Sequence, residues 1–236
     1  MKKGRALKDI RRHKRVKDML LGALERPALQ WLCAHSPAWL TPDILTAIGL
    51  LGAALSLLGY WLSNDHPAYL WLASFGMLVN WYGDSMDGSL ARYRKIERPR
   101  YGFFVDHTLY AVAQVMVFLG FALSPYVRFD VAILALNVYL LMDIQAMART
   151  SVQGVFKITY GKIGPTEVRA LVVLINTTLL YWNPIFNLPW GEFTLFDFII
   201  IALAVSFVYI FFSEVLSVAR SLRDADERAL REGPQD

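Results

Sequence analysis

Cysteine occurs once in the 236 residues, at Cys33, which excludes an internal disulfide framework. Charge is sparse as well. Asp, Glu, Lys and Arg make up 19% of the chain, against 56% hydrophobic residues that fall in long uninterrupted blocks. That balance argues against a soluble domain. Histidine gives little: His13, His35 and His66 are scattered and make no metal-site spacing. There is no internal repeat and no low-complexity tract. A cleavable signal peptide is not expected, because the first 18 residues are highly basic and no small-residue cleavage pattern follows. The first apolar block is therefore expected to stay in the protein as a span.

A helix needs roughly 20 apolar residues to cross a bilayer. Six blocks meet or approach that length: Ile44–Ser63, Pro67–Gly83, Gly102–Ser124, Phe129–Met147, Thr166–Phe186 and Phe193–Val218. The expected fold is an all-α integral membrane protein of six transmembrane helices. Residues 1–43 form a basic N-terminal region, 44–218 the six-helix domain and 219–236 a tail. Positive charge is almost wholly absent from one face of such a bundle. Of the 24 Lys and Arg, all but Arg128 fall before the first span, between spans two and three, between spans four and five or in the first turn of the fifth (Arg169), or after span six. The positive-inside rule makes that face cytoplasmic, with both termini inside.

The basic N-terminal stretch suits anionic lipid head groups better than nucleic acid, because it lies beside a span. Met19–Leu32 reads as an amphipathic helix lying along the membrane interface, which Pro27 would kink or divide. Ser36-Pro37 and Thr41-Pro42 then break it before span one.

The stretch that carries chemistry runs from Asp84 to Tyr110. It begins Gly83-Asp84-Ser85-Met86-Asp87-Gly88-Ser89-Leu90-Ala91-Arg92. Carboxylates at the end of an apolar helix are expensive unless paired, solvated or metal-bound. Helical spacing puts Asp84, Asp87, Gly88 and Ala91 along one face, two hard oxygen ligands followed by two residues with almost no side chain. Such a surface can hold a divalent cation and let a phosphate or nucleotide lie against the backbone. Arg98-Pro99-Arg100 turns the chain. Gly102, Asp106 and Tyr110 then recur four apart, on one face of the next helix. Three carboxylates facing one another suit Mg²⁺ or Mn²⁺. An EF-hand is a poor alternative, since its ligands alternate within a loop of different spacing.

This pattern resembles the signature of the CDP-alcohol phosphotransferases, D-x2-D-G-x2-A-R followed after eight or nine residues by G-x3-D-x3-D. Asp84, Asp87, Gly88, Ala91, Arg92, Gly102 and Asp106 match it; the last aspartate is replaced by Tyr110. Leu40-Thr41-Pro42-Asp43-Ile44-Leu45-Thr46 also looks like that family's entry into span one. Gly161-Lys162-Ile163-Gly164-Pro165-Thr166-Glu167-Val168-Arg169 resembles segments of its bacterial members.

The resemblance implies a transferase of phospholipid synthesis in a bacterial inner membrane, with its active face cytoplasmic. Its donor would be a CDP-linked lipid such as CDP-diacylglycerol, its acceptor an alcohol or sugar phosphate, and its leaving group CMP. It implies two Mg²⁺ or Mn²⁺ ions on Asp84, Asp87 and Asp106. Gly88, Ala91 and Gly102 would give the nucleotide room, Arg92 would orient the site, and Thr46 would add a hydroxyl contact. Members of the family commonly pair within the membrane, so a homodimer is implied too. No nucleic-acid partner is expected.

Tyr110 departs from this scheme. A neutral phenol, with a pKa of about 10, is a poor metal ligand and a poor proton acceptor. Three readings stay open: a disabled version of an active enzyme, use of His107 or a metal-bound water as the base, or reuse of the fold for non-catalytic CDP-lipid binding. A cation transporter is disfavoured by the placement of all three aspartates at one membrane face.

Asp143, in span four, is a functional candidate because of its depth or else a polar contact with another helix. Arg149, Lys157, Lys162 and Arg169 would form either a basic pocket for a phosphorylated acceptor or ordinary positive-inside charge. Glu167 suits the start of span five as a helix-dipole partner, and Glu214 could pair with an arginine. Trp61, Tyr69, Trp182 and Trp190 fit an aromatic belt.

Overall fold

The computed structural model describes residues 20–153 and 164–232. Seven α-helices follow one another there: α1 (Gly22–His35), α2 (Pro42–Leu62), α3 (Leu70–Tyr93), α4 (Pro99–Leu123), α5 (Phe129–Gln153), α6 (Pro165–Leu179) and α7 (Leu195–Glu232). A short 3-10 turn, Pro67–Tyr69, precedes α3. Lys157, Lys162 and the basic residues before position 20 lie outside the described residues.

Local chemistry sets the helix starts. Thr41 caps α2 by accepting from the Ile44 amide at 3.3 Å, with Pro42 in the first turn where its missing N–H costs nothing. Pro99 likewise occupies the first turn of α4, here after Arg98, whose side chain makes no cap hydrogen bond. Between α3 and α4 the chain reverses through Lys95, whose φ of 58° lies in the left-handed region. The neighbouring Arg94 guanidinium donates to the carbonyls of Ser36, Pro37, Ala38 and Leu40, fastening the α1–α2 connection to the end of α3. At the opposite end, the Asn64 amide donates to Trp61 O and Leu123 O, each at 2.7 Å, joining the last turns of α2 and α4.

The α2–α3 pair is the most intimate in the molecule, and glycine is the reason. A Cβ on Gly52 would lie 2.3 Å from the Asn80 amide nitrogen, and one on Gly83 would lie 2.3 Å from that of Gly49. Backbone meets backbone along this seam, the small-residue packing familiar from membrane helices. Asn80 spans it, donating to Gly49 O at 2.9 Å. Tyr60, Asn176 and Ser74 link α2, α6 and α3: the Tyr60 hydroxyl donates to Asn176 Oδ1 at 2.9 Å, and Asn176 Nδ2 to Ser74 Oγ at 3.1 Å. Cys33 is buried against Met86, and burial pushes its thiol pKa up.

Four helices are long and apolar enough to cross a membrane: α2, α4, α5 and the Leu195–Arg228 part of α7. The other two expected spans differ in kind. Helix α3 carries Asn80, Asp84, Asp87 and Arg92 along its length. Helix α6 has 15 residues, about 22 Å at 1.5 Å per residue, against a hydrocarbon core of about 30 Å.

Three local expectations are corrected. The fifth block does not run helical to Phe186: α6 ends at Leu179, and Ile185–Leu188 pairs antiparallel with Gly191–Thr194 in a hairpin. The fold is thus mainly, not wholly, helical. Asn183-Pro184 ends the apolar run, and Gly191 supplies the positive φ of the hairpin. Pro27 does not divide the N-terminal helix, which continues through it from Gly22 to His35.

Candidate functional site

A cavity of about 1030 Å³ opens among α1, α3, α4, α5, α6 and α7. Its wall includes Asp84, Asp87, Gly88 and Arg92 from α3, Asp106, His107 and Tyr110 from α4, and Arg169 from α6. Asp84, Asp87, Gly88 and Arg92 of α3 and Asp106 of α4 thus border one space.

The carboxylates are engaged differently. Asp84 Oδ2 accepts from Arg169 at 2.8 Å in an ion pair linking α3 to α6. Asp87 is buried; its Oδ2 lies 2.9 Å from the Thr46 hydroxyl, which is also 3.0 Å from Pro42 O, and its Oδ1 touches the Gly88 amide. Asp106 Oδ2 stands 3.9 Å from His107 Nδ1. The His107 ring is turned to the backbone, with Nδ1 2.7 Å from Phe103 O, and tilts against the Phe103 ring. Tyr110 is not open to an acceptor's proton in the way a carboxylate would be. Its hydroxyl is 3.1 Å from that of Tyr139, and the Arg169 guanidinium lies 6.0 Å from its ring centre.

Among the described residues no group of three His, Cys, Asp or Glu is arranged to hold a metal ion. Asp84 is neutralised by Arg169 and Asp87 is held by Thr46. As arranged, this donor set does not fit the pair of divalent ions that the resemblance implies.

The remaining expected residues separate into two groups. Gly88 sits against Arg92, whose guanidinium would be 3.2 Å from a Cβ there. Ala91 and Gly102 are not part of the cavity wall, and a Cβ on Gly102 would meet nothing within 4 Å. Thr46 reaches the site through Asp87, in a small crevice shared with Asp84, Asp106 and Tyr110. Arg149 stands off the cavity, paired with Glu214 at 2.6 Å, the arginine partner expected for that acid. Glu167 caps α6 by accepting from the Gly164 amide at 2.9 Å, and its other oxygen accepts from the Leu21 amide at 2.8 Å.

Sequence reasoning missed Glu25 and Tyr139. Glu25 is a buried acid on α1 whose Oε1 accepts from Trp81 Nε1 at 3.2 Å, Ser85 Oγ at 2.9 Å and Thr166 Oγ1 at 3.1 Å. It docks α1 on both α3 and α6 and completes one wall of the cavity. The only signal for it was a lone acid on the apolar side of an amphipathic helix. Glu25→Ala leaves three donors without an acceptor, an expected cost of about 1–3 kcal/mol. Limited proteolysis in the α1–α2 connection should accelerate accordingly; an unchanged cleavage rate would contradict this role.

No family model matches the chain. Curated relatives do match, two of them as follows. The chain is 28% identical over 158 residues to cholinephosphotransferase 1 of Gallus gallus, a match covering 64% of this chain and 46% of that protein. It is 35% identical over 98 residues to archaetidylinositol phosphate synthase of Pyrococcus horikoshii, covering 41% of this chain and 48% of that protein. The chain thus spans about half the length of the curated relatives it matches. Both are members of the CDP-alcohol phosphotransferase family. The likeness first read from residues 84–106 thus has support from these partial-length matches at modest identity, and the chain resembles the CDP-alcohol phosphotransferases with Tyr110 where their fourth signature aspartate stands.

Proposed function

We propose that the chain transfers a phosphatidyl or related phospho-group from a CDP-linked lipid, such as CDP-diacylglycerol, to an alcohol, with release of CMP. The observation that carries this reading is the meeting of Asp84, Asp87, Gly88, Arg92 and Asp106 on the wall of one cavity. Its volume of about 1030 Å³ matches the larger ligand sites of proteins. Arg92 supplies a planar donor set for phosphate, and Gly88 lets the nucleotide approach the helix backbone. Thr46 orients Asp87 and Arg169 orients Asp84. The chemistry asked of these residues is largely positioning, as in phosphoryl transfer generally: the alcohol oxygen bonds to phosphorus as the bond to CMP breaks.

Six membrane passages, with both termini and the cavity mouth at the cytoplasmic face of a bacterial inner membrane, belong to this reading. The charge pattern supports that orientation, with Arg128 the exception among 24 basic residues. Pairing of two copies in the membrane belongs to it as well.

A second reading, a non-catalytic CDP-lipid-binding protein, draws on Tyr110 and on the Asp84–Arg169 ion pair. Purified protein supplied with labelled CDP-diacylglycerol, a panel of alcohols and Mg²⁺ or Mn²⁺ distinguishes the two. The transferase reading expects CMP only when the right alcohol is present, and about 10²-fold less with Asp87→Ala through lost positioning. Tight CDP-lipid binding with no CMP from any alcohol favours the second reading. Absence of both would sink the two together.

A further inference from the structure

We infer that the Arg169 guanidinium stands at Asp84 as a fixed positive charge in the place a divalent cation would take, so that this chain grips the diphosphate of a CDP group without a metal ion. The nucleotide half of this inference rests on the transferase reading; the cation half rests on the side chains alone.

The pairing itself comes first. Arg169 Nη2 donates to Asp84 Oδ2 at 2.8 Å, and the two side chains are only 12% and 24% exposed. Magnesium takes oxygen ligands at about 2.0–2.1 Å in near-octahedral geometry. An ion on that oxygen would face the guanidinium across a single atom, cation against cation. Moving Arg169 aside would strand a largely buried positive charge, the costly outcome of breaking such a pair.

Arg169 is also poorly placed to move. It leaves α6 one turn after the helix begins at Pro165. That first turn is fastened to α1 twice: Glu167 Oε1 accepts from the Leu21 amide at 2.8 Å, and the Thr166 hydroxyl donates to Glu25 Oε1 at 3.1 Å. The same Glu25 oxygen accepts from Ser85, the neighbour of Asp84 on α3, at 2.9 Å. One carboxylate thus ties the base of Arg169 to the base of Asp84 and fixes the gap that the ion pair closes.

Tyr110 agrees with this arrangement. The Arg169 guanidinium lies 6.0 Å from its ring centre, at the edge of cation–π reach. A carboxylate at this position would add the negative charge that a divalent ion calls for. The phenol adds none, and its hydroxyl is turned to that of Tyr139 at 3.1 Å. The charge of Asp84 is therefore answered by one guanidinium. Two other carboxylates of the wall have neutral partners, Glu25 as above and Asp143 with Gln114 of α4.

A guanidinium presents five N–H donors in a planar fork that matches phosphate oxygens. Arg92 and Arg169 both border the cavity, so a diphosphate entering it finds two positive charges already in position. This is charge recognition by side chains held in advance of the ligand.

Two measurements on the full chain in detergent decide the matter. CDP affinity is titrated by calorimetry, once with EDTA and once with excess Mg²⁺. Mn²⁺ held in the absence of nucleotide is counted by electron paramagnetic resonance. The unaltered chain is expected to show the same CDP affinity in both media and to hold no stoichiometric Mn²⁺. Arg169→Gln is expected to weaken CDP binding in EDTA by about tenfold or more, and to recover affinity when Mg²⁺ is added, because Asp84 is then open to the ion. A merely structural arginine would lower affinity without creating that dependence. Arg169→Lys keeps the charge and should stay indifferent to Mg²⁺. CDP binding by the unaltered chain that requires Mg²⁺, or one Mn²⁺ or more held per chain, overturns the inference whether or not the variants fold. A folded Arg169→Gln that binds CDP in EDTA as tightly as before overturns it too. Failure to bind CDP in either medium would remove the transferase reading and the nucleotide half with it, while Mn²⁺ held only after Arg169→Gln would uphold the replacement of the cation.

Discussion

Gly52→Ala is expected to unfold or grossly loosen the bundle. The added methyl would sit 2.3 Å from the Asn80 amide nitrogen and 2.7 Å from Gly76 O, both backbone atoms that cannot swing aside. The α2 and α3 axes must therefore separate by an ångström or more. Overpacking of this kind costs about 1–3 kcal/mol and more where the backbone itself must move. Separation would also strip Asn80 from Gly49 O, leaving a buried amide and a buried carbonyl unpaired. Thermal unfolding in detergent should show a large fall in the transition temperature and in the yield of monodisperse protein. The matched comparison is Gly102→Ala, which meets nothing within 4 Å and should be silent on fold. Equal behaviour of the two variants would show that the seam is not as close as described.

Tyr110→Asp is the second change with a large expected effect, and here the effect is a gain. On the transferase reading, the position lacks a carboxylate that can receive the proton of the attacking alcohol. General-base catalysis is worth about 10²–10⁴-fold, so CMP release should rise by at least about 10²-fold in the variant. The surroundings suit the replacement: Arg169 is 6.0 Å from the present ring centre and can face a new carboxylate without leaving Asp84's vicinity. Loss of the phenol also frees the Tyr139 hydroxyl. CMP release that does not change would show that position 110 takes no part in proton transfer. Silence from both forms, with CDP-lipid binding preserved, would move the protein to the non-catalytic reading.

The acidic motif was legible because its physics is local. Asp84, Asp87, Gly88 and Ala91 share a helical face by spacing alone, and Pro99 marks where the next helix begins. What stayed hidden is separated along the chain. The Asp84–Arg169 ion pair joins positions 85 apart, and the Tyr110–Tyr139 contact joins positions 29 apart. No periodicity reveals which polar groups will meet across a bundle. The hairpin after α6 was hidden for another reason: a short apolar run reads equally as the end of a helix or as an edge strand. Glu25 shows the same limit from the other side, since an acid that accepts three hydrogen bonds from two helices looks, in sequence, like any solvated charge.

Helix α2 is fastened at both ends, by the Arg94 clamp on the chain leading into it and by Asn64 at its exit, and is fused to α3 along its glycines. In mechanical terms these two helices are the stator of the molecule. The signature carboxylates of α3 ride on it, and their spacing is expected to hold when a ligand enters the cavity. The compliance needed to admit or release a ligand therefore falls to α5 and α7, the walls with no such fastening to α2. Cross-linking those two helices should slow exchange of ligand, whereas cross-linking α2 to α3 should leave it untouched.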